Sequence, residues 1–180
     1  MQYLRLVGWL PSLAVLLVTG CTVAPPPGSP IPPAAELLPG DGRVFAYGYT
    51  VGEALKNPEV ADKVRDLFGA DWAPASRGGG QLALGAAAYF AGNAPPRMVR
   101  IGGVDYIALA GCAPGACNTH RVLLLVRDGG SKLLARLDEG GFVHYYGYGS
   151  DDVTRNTAPL IVDSGLRALR RGGNPYPGMS

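Results

Sequence analysis

Charge is in short supply in this sequence. Its 180 residues carry 16 basic and 14 acidic side chains, a formal net charge of +2, and only 17% of residues are charged. That balance is too weak to grip a phosphate backbone, so no nucleic-acid partner is expected. The one basic cluster, Arg167, Arg170 and Arg171, reads as the solvated end of a helix. Histidine is scarcer still. His120 and His144 are the only two, and they lack the spacing of metal ligands. The chain has no nucleophile-elbow motif, metal motif or paired-carboxylate signature, so it is not expected to be an enzyme or to need a cofactor. Gly78-Gly79-Gly80 is not framed by the strand, GxxxxGK[ST] motif and helix of a phosphate loop, and reads as an ordinary loop. No apolar run reaches the roughly 20 residues that a bilayer span requires.

What is present begins at the N-terminus. Met1 to Arg5 carries one positive charge, and Leu6 to Val18 is apolar apart from Gly8, Pro11 and Ser12. Val18-Thr19-Gly20-Cys21 follows: an aliphatic residue, a β-branched residue, a small residue and a cysteine. This resembles the lipobox of bacterial lipoproteins. Small side chains let a signal peptidase approach the backbone, and the thiol is the nucleophile that takes the diacylglycerol. The alternative, a transmembrane helix, requires a longer run without signal-peptide flanks. The resemblance implies that residues 1–20 are a cleaved signal peptide and that Cys21 carries the lipid, palmitate included. One acyl chain anchors only weakly, and lipoprotein cysteines usually carry more than one. The expected membrane contact is therefore a stable lipid anchor. Thr22 stands where enterobacterial lipoproteins held at the inner membrane have Asp, which points to the periplasmic face of the outer membrane.

Glycine (27) and proline (16) are abundant and unevenly spread. Residues 21–43 hold Pro25-Pro26-Pro27, Pro30, Pro32-Pro33 and Pro39, and read as a tether in extended polyproline II form. Residues 44–171 are enough for one domain, and 172–180 read as a flexible tail. Val44 to Tyr49 is β-like. Thr50-Val51-Gly52-Glu53 has the form of a capping box, and Asn57-Pro58 is a second helix start. Val60, Val64, Leu67 and Phe68 fall on one helical face, with Gly69 as a stop and Trp72 packing back. Leu82 to Phe90 reads as either a strand or a short helix. Strands are expected at Met98–Ile101, Val104–Ala110, Arg121–Val126, Lys132–Leu137 and Phe142–Tyr148. Gly102-Gly103, Asp128-Gly129-Gly130 and Glu139-Gly140-Gly141 mark tight turns among them. Asp151-Asp152 reads as a turn rather than a metal pair. A closing helix over Ala158 to Arg170 takes Asn156 or Thr157 as its cap and carries the stripe Val162, Leu166, Leu169. The expected fold class is α+β: an antiparallel sheet of about five strands with flanking helices.

With Cys21 set aside, two cysteines remain, and in an oxidising compartment Cys112 and Cys117 should form a disulfide. Free thiols and half of a metal site are the alternatives, and the second needs further ligands. Closing so short a loop is worth on the order of 2 kcal/mol, and Pro114 removes more freedom. Two roles follow: a stiff knob that docks into a cleft with little entropy loss, or a staple that holds a hairpin.

Asn57-Pro58-Glu59, then Val104-Asp105-Tyr106-Ile107-Ala108-Leu109-Ala110-Gly111-Cys112, Pro114, Cys117 and Arg121 with the apolar strand after it, resemble the inhibitor of vertebrate lysozyme (Ivy) family over roughly residues 50–165. The Cys-x-Pro-x-x-Cys loop, with Arg four residues beyond, is the most specific part. The resemblance implies a periplasmic protein whose loop, Ala113, Pro114, Gly115 and Ala116, enters the cleft of a peptidoglycan-cleaving enzyme, a lysozyme or a lytic transglycosylase. In the family the loop typically reads Cys-Lys-Pro-His-Asp-Cys, and its histidine donates to the catalytic carboxyl groups. Here Ala113, Gly115 and Ala116 replace Lys, His and Asp. A hot-spot residue is worth about 2–4 kcal/mol, so loss of the imidazole implies binding weaker by tens-fold to nearly a thousandfold. His120 stands either beside the loop base as a replacement or on the surface. Arg121 is a further candidate, and His144 reads as an edge or surface residue. The other reading keeps the fold and makes the chain an envelope lipoprotein with a structural or different partner-binding role.

Overall fold

Six strands follow one another in space in their order along the chain. They are β1 Ala35–Leu37, β2 Arg97–Ile101, β3 Val104–Cys112, β4 His120–Arg127, β5 Lys132–Glu139 and β6 Phe142–Tyr148. Every neighbouring pair is antiparallel. Around the sheet lie α1 Val51–Ala54, α2 Ala61–Phe68, α3 Ala75–Gly78 and α4 Thr157–Arg171, with 3-10 turns at Gly42–Phe45, Gly69–Trp72, Ala86–Phe90 and Asp128–Gly130. The computed structural model describes residues 30–149 and 157–176. The chain divides into two units, Met1–Ile31 and Pro32–Ser180, and the fold is that of the second. The signal segment, Cys21, the tether as far as residue 29, Asp151-Asp152, Asn156 and residues 177–180 lie outside the described residues.

The α+β architecture is as expected, with one more strand. That strand comes from the segment expected to be tether. Ala34-Ala35-Glu36-Leu37-Leu38 is free of proline, so its amides can pair, and extended backbone already has nearly the shape of a strand. Leu37 pairs with Val99, and the Leu38 amide donates to the Met98 carbonyl at 2.9 Å. The guanidinium of Arg171, at the end of α4, donates to the carbonyl of Ala35. The folded domain therefore begins well before residue 44. Val44–Tyr49, in contrast, is not a strand. Asp41 caps a 3-10 turn there, its Oδ1 accepting from the Arg43 amide at 3.0 Å. Local turn chemistry overrides the β preference of the residues that follow.

The helix signals work close to where they stand. Thr50 Oγ1 accepts from the Glu53 amide at 3.1 Å, and Glu53 Oε2 accepts from the Tyr49 amide at 2.8 Å, one residue outside the usual box. Asn57 Oδ1 accepts from the Glu59 amide at 2.9 Å, although regular helix starts only at Ala61. Val60, Val64, Leu67 and Phe68 are all buried, and Gly69 ends α2 at φ +52°. Leu82–Phe90 resolves into loop and a 3-10 turn.

Alternation along β4 shows why the sheet is covered twice. Val122, Leu124 and Val126 pack with α2 residues Val64, Leu67 and Phe68 on one face. Leu123 and Leu125 pack with Val162, Leu166 and Leu169 of α4 on the other. Each fully buried aliphatic side chain contributes roughly 1.5–3 kcal/mol. Gly165 lets α4 come close, because a Cβ there would lie 2.9 Å from Ile101 Cδ1.

A polar network pins the same helix. Arg136 bridges Asp163 of α4 at 2.7 Å and Asp138 at 2.8 Å, and Arg121 reaches Asp138 at 3.0 Å. The Tyr145 hydroxyl donates to Asp163 at 2.9 Å. Arg121 also lies 5.3 Å from the ring centre of buried Tyr176, so residue 176 packs onto the domain although 172–180 was expected to be a loose tail. Burial, and then the nearby charge of Asp138, push the Tyr176 phenol up to about 12. An unfolded tyrosine ionises near pH 10, so above that pH the unfolded chain sheds a proton that the folded chain keeps. Stability is thus expected to fall as pH rises from about 10 to about 12. Denaturant unfolding at several alkaline pH values should show a shallower decline for Tyr176→Phe.

Candidate functional site

The loop that joins β3 to β4 is built on a covalent and a hydrogen-bonded closure. Cys112 and Cys117 form a disulfide with their Cα atoms 4.9 Å apart. Between them the Ala116 amide donates to the Ala113 carbonyl at 3.0 Å, with Pro114 second in the turn and Gly115 third at φ +76°. That is the residue pattern of a type II turn, in which proline presets one torsion and glycine accepts the left-handed one. The Ala116 carbonyl then takes the amides of Thr119 (3.0 Å) and His120 (2.8 Å), and the Ala113 amide donates to the His120 carbonyl at 3.0 Å. Little conformational freedom is left.

Only part of the loop projects. Pro114 and Gly115 are exposed, and Ala116 and Cys117 are half-buried. Ala113 is 2% exposed and belongs to the core. It was expected to touch a target, and its methyl group instead fills space beneath the turn. The knob is therefore a two-residue tip on a buried base. Gly111 shows how tightly that base is packed, since a Cβ there would overlap the carbonyl of Tyr89.

The neighbouring surface was not evident from sequence. The Gly140 amide donates to the Thr119 carbonyl at 3.2 Å, which ties the β5–β6 turn to the loop. Just beyond that turn Phe142 is 74% exposed. Glu139, paired with Phe142 across the turn, accepts from the Ala83 amide at 3.1 Å, and exposed Leu84 follows. One end of the sheet thus presents Pro114-Gly115, exposed Asn118-Thr119, Phe142 and Leu84. Phe142 is on the same face as Tyr146 and Tyr148, which pack against the core, but lies past the cover that reaches them.

The other candidates separate. His120 sits at the loop base, half-buried, with its ring 6.1 Å from that of Tyr89 and its Nδ1 2.8 Å from Thr119 Oγ1. It does not reach the tip. Arg121 points to the opposite face, toward α4, and is held by Asp138 and Tyr176. That makes it part of the pin and not of the loop surface. His144 is half-buried on β6, opposite Leu137.

Beneath the loop lie two carboxylates and two phenols. Glu139 accepts from the Tyr89 hydroxyl at 3.1 Å. Asp71 accepts from the Tyr146 hydroxyl at 3.0 Å, from the Leu82 amide at 3.3 Å and from the Gln81 amide. Burial first, and then the adjacent carboxylates, push both phenols well above their ordinary value, so they remain protonated donors. These bonds hold the 71–90 segment against the sheet. Among the described residues no group of three or more His, Cys, Asp or Glu side chains is arranged to hold a metal. No described helix is long and apolar enough to cross a membrane.

No family model, no curated protein and no solved structure matches the chain.

If the disulfide limits the unfolded chain as loop-closure entropy requires, Cys112→Ser with Cys117→Ser should lower unfolding free energy by about 2 kcal/mol. Chemical denaturation of the two proteins side by side measures it. The sheet should persist in far-ultraviolet circular dichroism, because the base of the loop is held by the core as well.

Proposed function

We propose that the protein is a lipid-anchored envelope protein that resembles Ivy-family inhibitors and binds a peptidoglycan-cleaving enzyme, a lysozyme or a lytic transglycosylase, through the Pro114–Gly115 tip. The observation that carries this reading is the tip itself: two exposed residues on a turn closed by a disulfide and by backbone hydrogen bonds. A preorganised knob loses little freedom when it enters a cleft. With Ala113, Gly115 and Ala116 in place of the family's polar residues, the tip has no imidazole to offer the catalytic carboxyl groups. Binding then works by occlusion: the proline ring and the backbone fill the cleft, and Phe142 and Leu84 add apolar contact at its rim. Removing such rim contacts from water contributes about 25 cal/mol per Å².

The second reading, an envelope lipoprotein in which the loop is only a staple, is favoured by Ala113 lying in the core. Enzyme titration separates the two. The full chain, added at micromolar concentration to c-type lysozyme and lytic transglycosylase assays, is expected to slow at least one. Pro114→Asp places a negative charge opposite the cleft carboxyls and should weaken inhibition by about tenfold or more, on the order of 1.4 kcal/mol. Full activity of every enzyme in the presence of the unaltered protein would leave the staple as the better account.

The anchor has its own test. Cys21 is proposed to hold the protein at the periplasmic face of the outer membrane. Cells fed radiolabelled palmitate should label the protein, and Cys21→Ser should abolish the label and release the chain from the outer-membrane fraction.

A further inference from the structure

Arg167, Arg170 and Arg171 of α4 are spaced i, i+3 and i+4, which puts them on one side of the helix, and all three are exposed. Arg167 donates to the hydroxyl of buried Ser164 at 2.7 Å, and Arg171 to the Ala35 carbonyl. Arg43, Arg100, Arg121 and Arg136 each hold a carboxylate. Among the described residues no carboxylate pairs with any of these three. Cations in the last turn favour the helix dipole. That accounts for Arg170 and Arg171, but not for Arg167 a turn earlier.

Arg167 and Arg171 also line an open cleft of about 500 Å³, with Ser164 beside them and Pro32, Pro33 and Ala35 as the other wall. The cleft therefore lies where the chain enters the domain. Ala35 pairs with Ile101, and the Gly102 amide donates to the Ala34 carbonyl at 2.8 Å, which places the cleft at the β2–β3 hairpin end of the sheet. β3 leaves that end at Val104 and reaches the disulfide loop at Cys112, so the Pro114–Gly115 tip is at the other end.

We propose that this cleft and the arginines around it dock on the phosphate headgroups of an anionic phospholipid surface. The choice of partner rests on the lipid-anchor reading. Guanidinium forks match phosphodiester oxygens in both charge and shape. Pro32 stands eleven residues after Cys21, and eleven residues span at most about 40 Å. A lipid on Cys21 thus keeps the cleft within that distance of the bilayer. Each arginine near an anionic surface strengthens binding by roughly fivefold. Three are a modest grip for a free protein, but a tether raises the effective concentration enough for a modest grip to hold. The whole chain is close to neutral, so the contact is local. Docking at this end turns the Pro114–Gly115 tip away from the bilayer, toward the space that a peptidoglycan-cleaving enzyme occupies.

The full chain with Cys21→Ser, which cannot carry the lipid, tests the contact apart from the anchor. Its sedimentation with vesicles of phosphatidylcholine mixed two to one with phosphatidylglycerol is compared with that of the same chain bearing Arg167→Gln and Arg170→Gln. Both proteins keep residues 1–20, so insertion of that segment cancels. The unaltered arginines are expected to give binding about tenfold tighter or more on the mixed vesicles, and no difference on phosphatidylcholine alone. Arginine Nε–H resonances of Arg167 and Arg170 should shift with dihexanoyl phosphatidylglycerol below its micellar concentration and not with dihexanoyl phosphatidylcholine, a readout that needs no variant. Equal binding of the two proteins to mixed vesicles, shifts confined to other arginines, or displacement by inorganic phosphate at matched ionic strength would overturn the assignment. The palmitate label is scored separately on the chain with Cys21 intact. A labelled chain without the anionic preference sinks the docking face alone, and an unlabelled chain with that preference sinks the anchor alone.

Discussion

Water is excluded from both faces of β4, and the layout of the domain follows from satisfying that strand. Val122, Leu124 and Val126 demand cover on one side, and Leu123 and Leu125 on the other. An antiparallel meander cannot supply that cover from its own strands, so helical segments from before and after the sheet must lie on opposite faces. The chain before β2 provides one layer through α2 and the turns around Trp72 and Tyr89, and the chain after β6 provides the other through α4. The apolar faces supply most of the favourable free energy. The Arg121–Asp138–Arg136–Asp163 array adds geometry more than stability, because partly buried ion pairs return little beyond their desolvation. Its effect is to set where α4 lies along the strands.

The two ends of the sheet are treated differently. At the β3–β4 loop the backbone is closed by a disulfide, a type II turn and amides converging on the Ala116 carbonyl. The same end gathers the β5–β6 turn and the Leu84 loop through Gly140–Thr119 and Ala83–Glu139 bonds. Three segments distant in sequence therefore meet around a rigid tip, and the apolar residues left uncovered there, Phe142 and Leu84, are ones the helical layers do not reach. At the edge strand β1 the chain instead folds back through Asp41 and Arg43 and leaves a small slot beside Arg97.

Much of the molecule was legible in the residues themselves. Wherever the determinant is local, sequence determined the outcome. Gly102-Gly103 and Gly140-Gly141 turn the hairpins because glycine accepts positive φ, at +57° and +81° and at +58° and +103°. Thr50 caps a helix because its hydroxyl is within reach of an amide three residues on, and the Val60–Phe68 stripe buries because its period matches the helix. The spacing of Cys112 and Cys117, with Pro114 and Gly115 between them, was enough to imply a closed turn. Tertiary structure decided the rest, because those outcomes depend on what lies across from a residue and not beside it. Ala35–Leu37 became a strand only because the β2 edge offered partners. Ala113 was buried and Phe142 exposed by where the covering layers end. His120 and Arg121, adjacent in the chain, were sent to opposite faces by the pleat and given to Tyr89 and Asp138. Alternation assigns a residue to a face, but only packing against distant segments determines whether that face is dry.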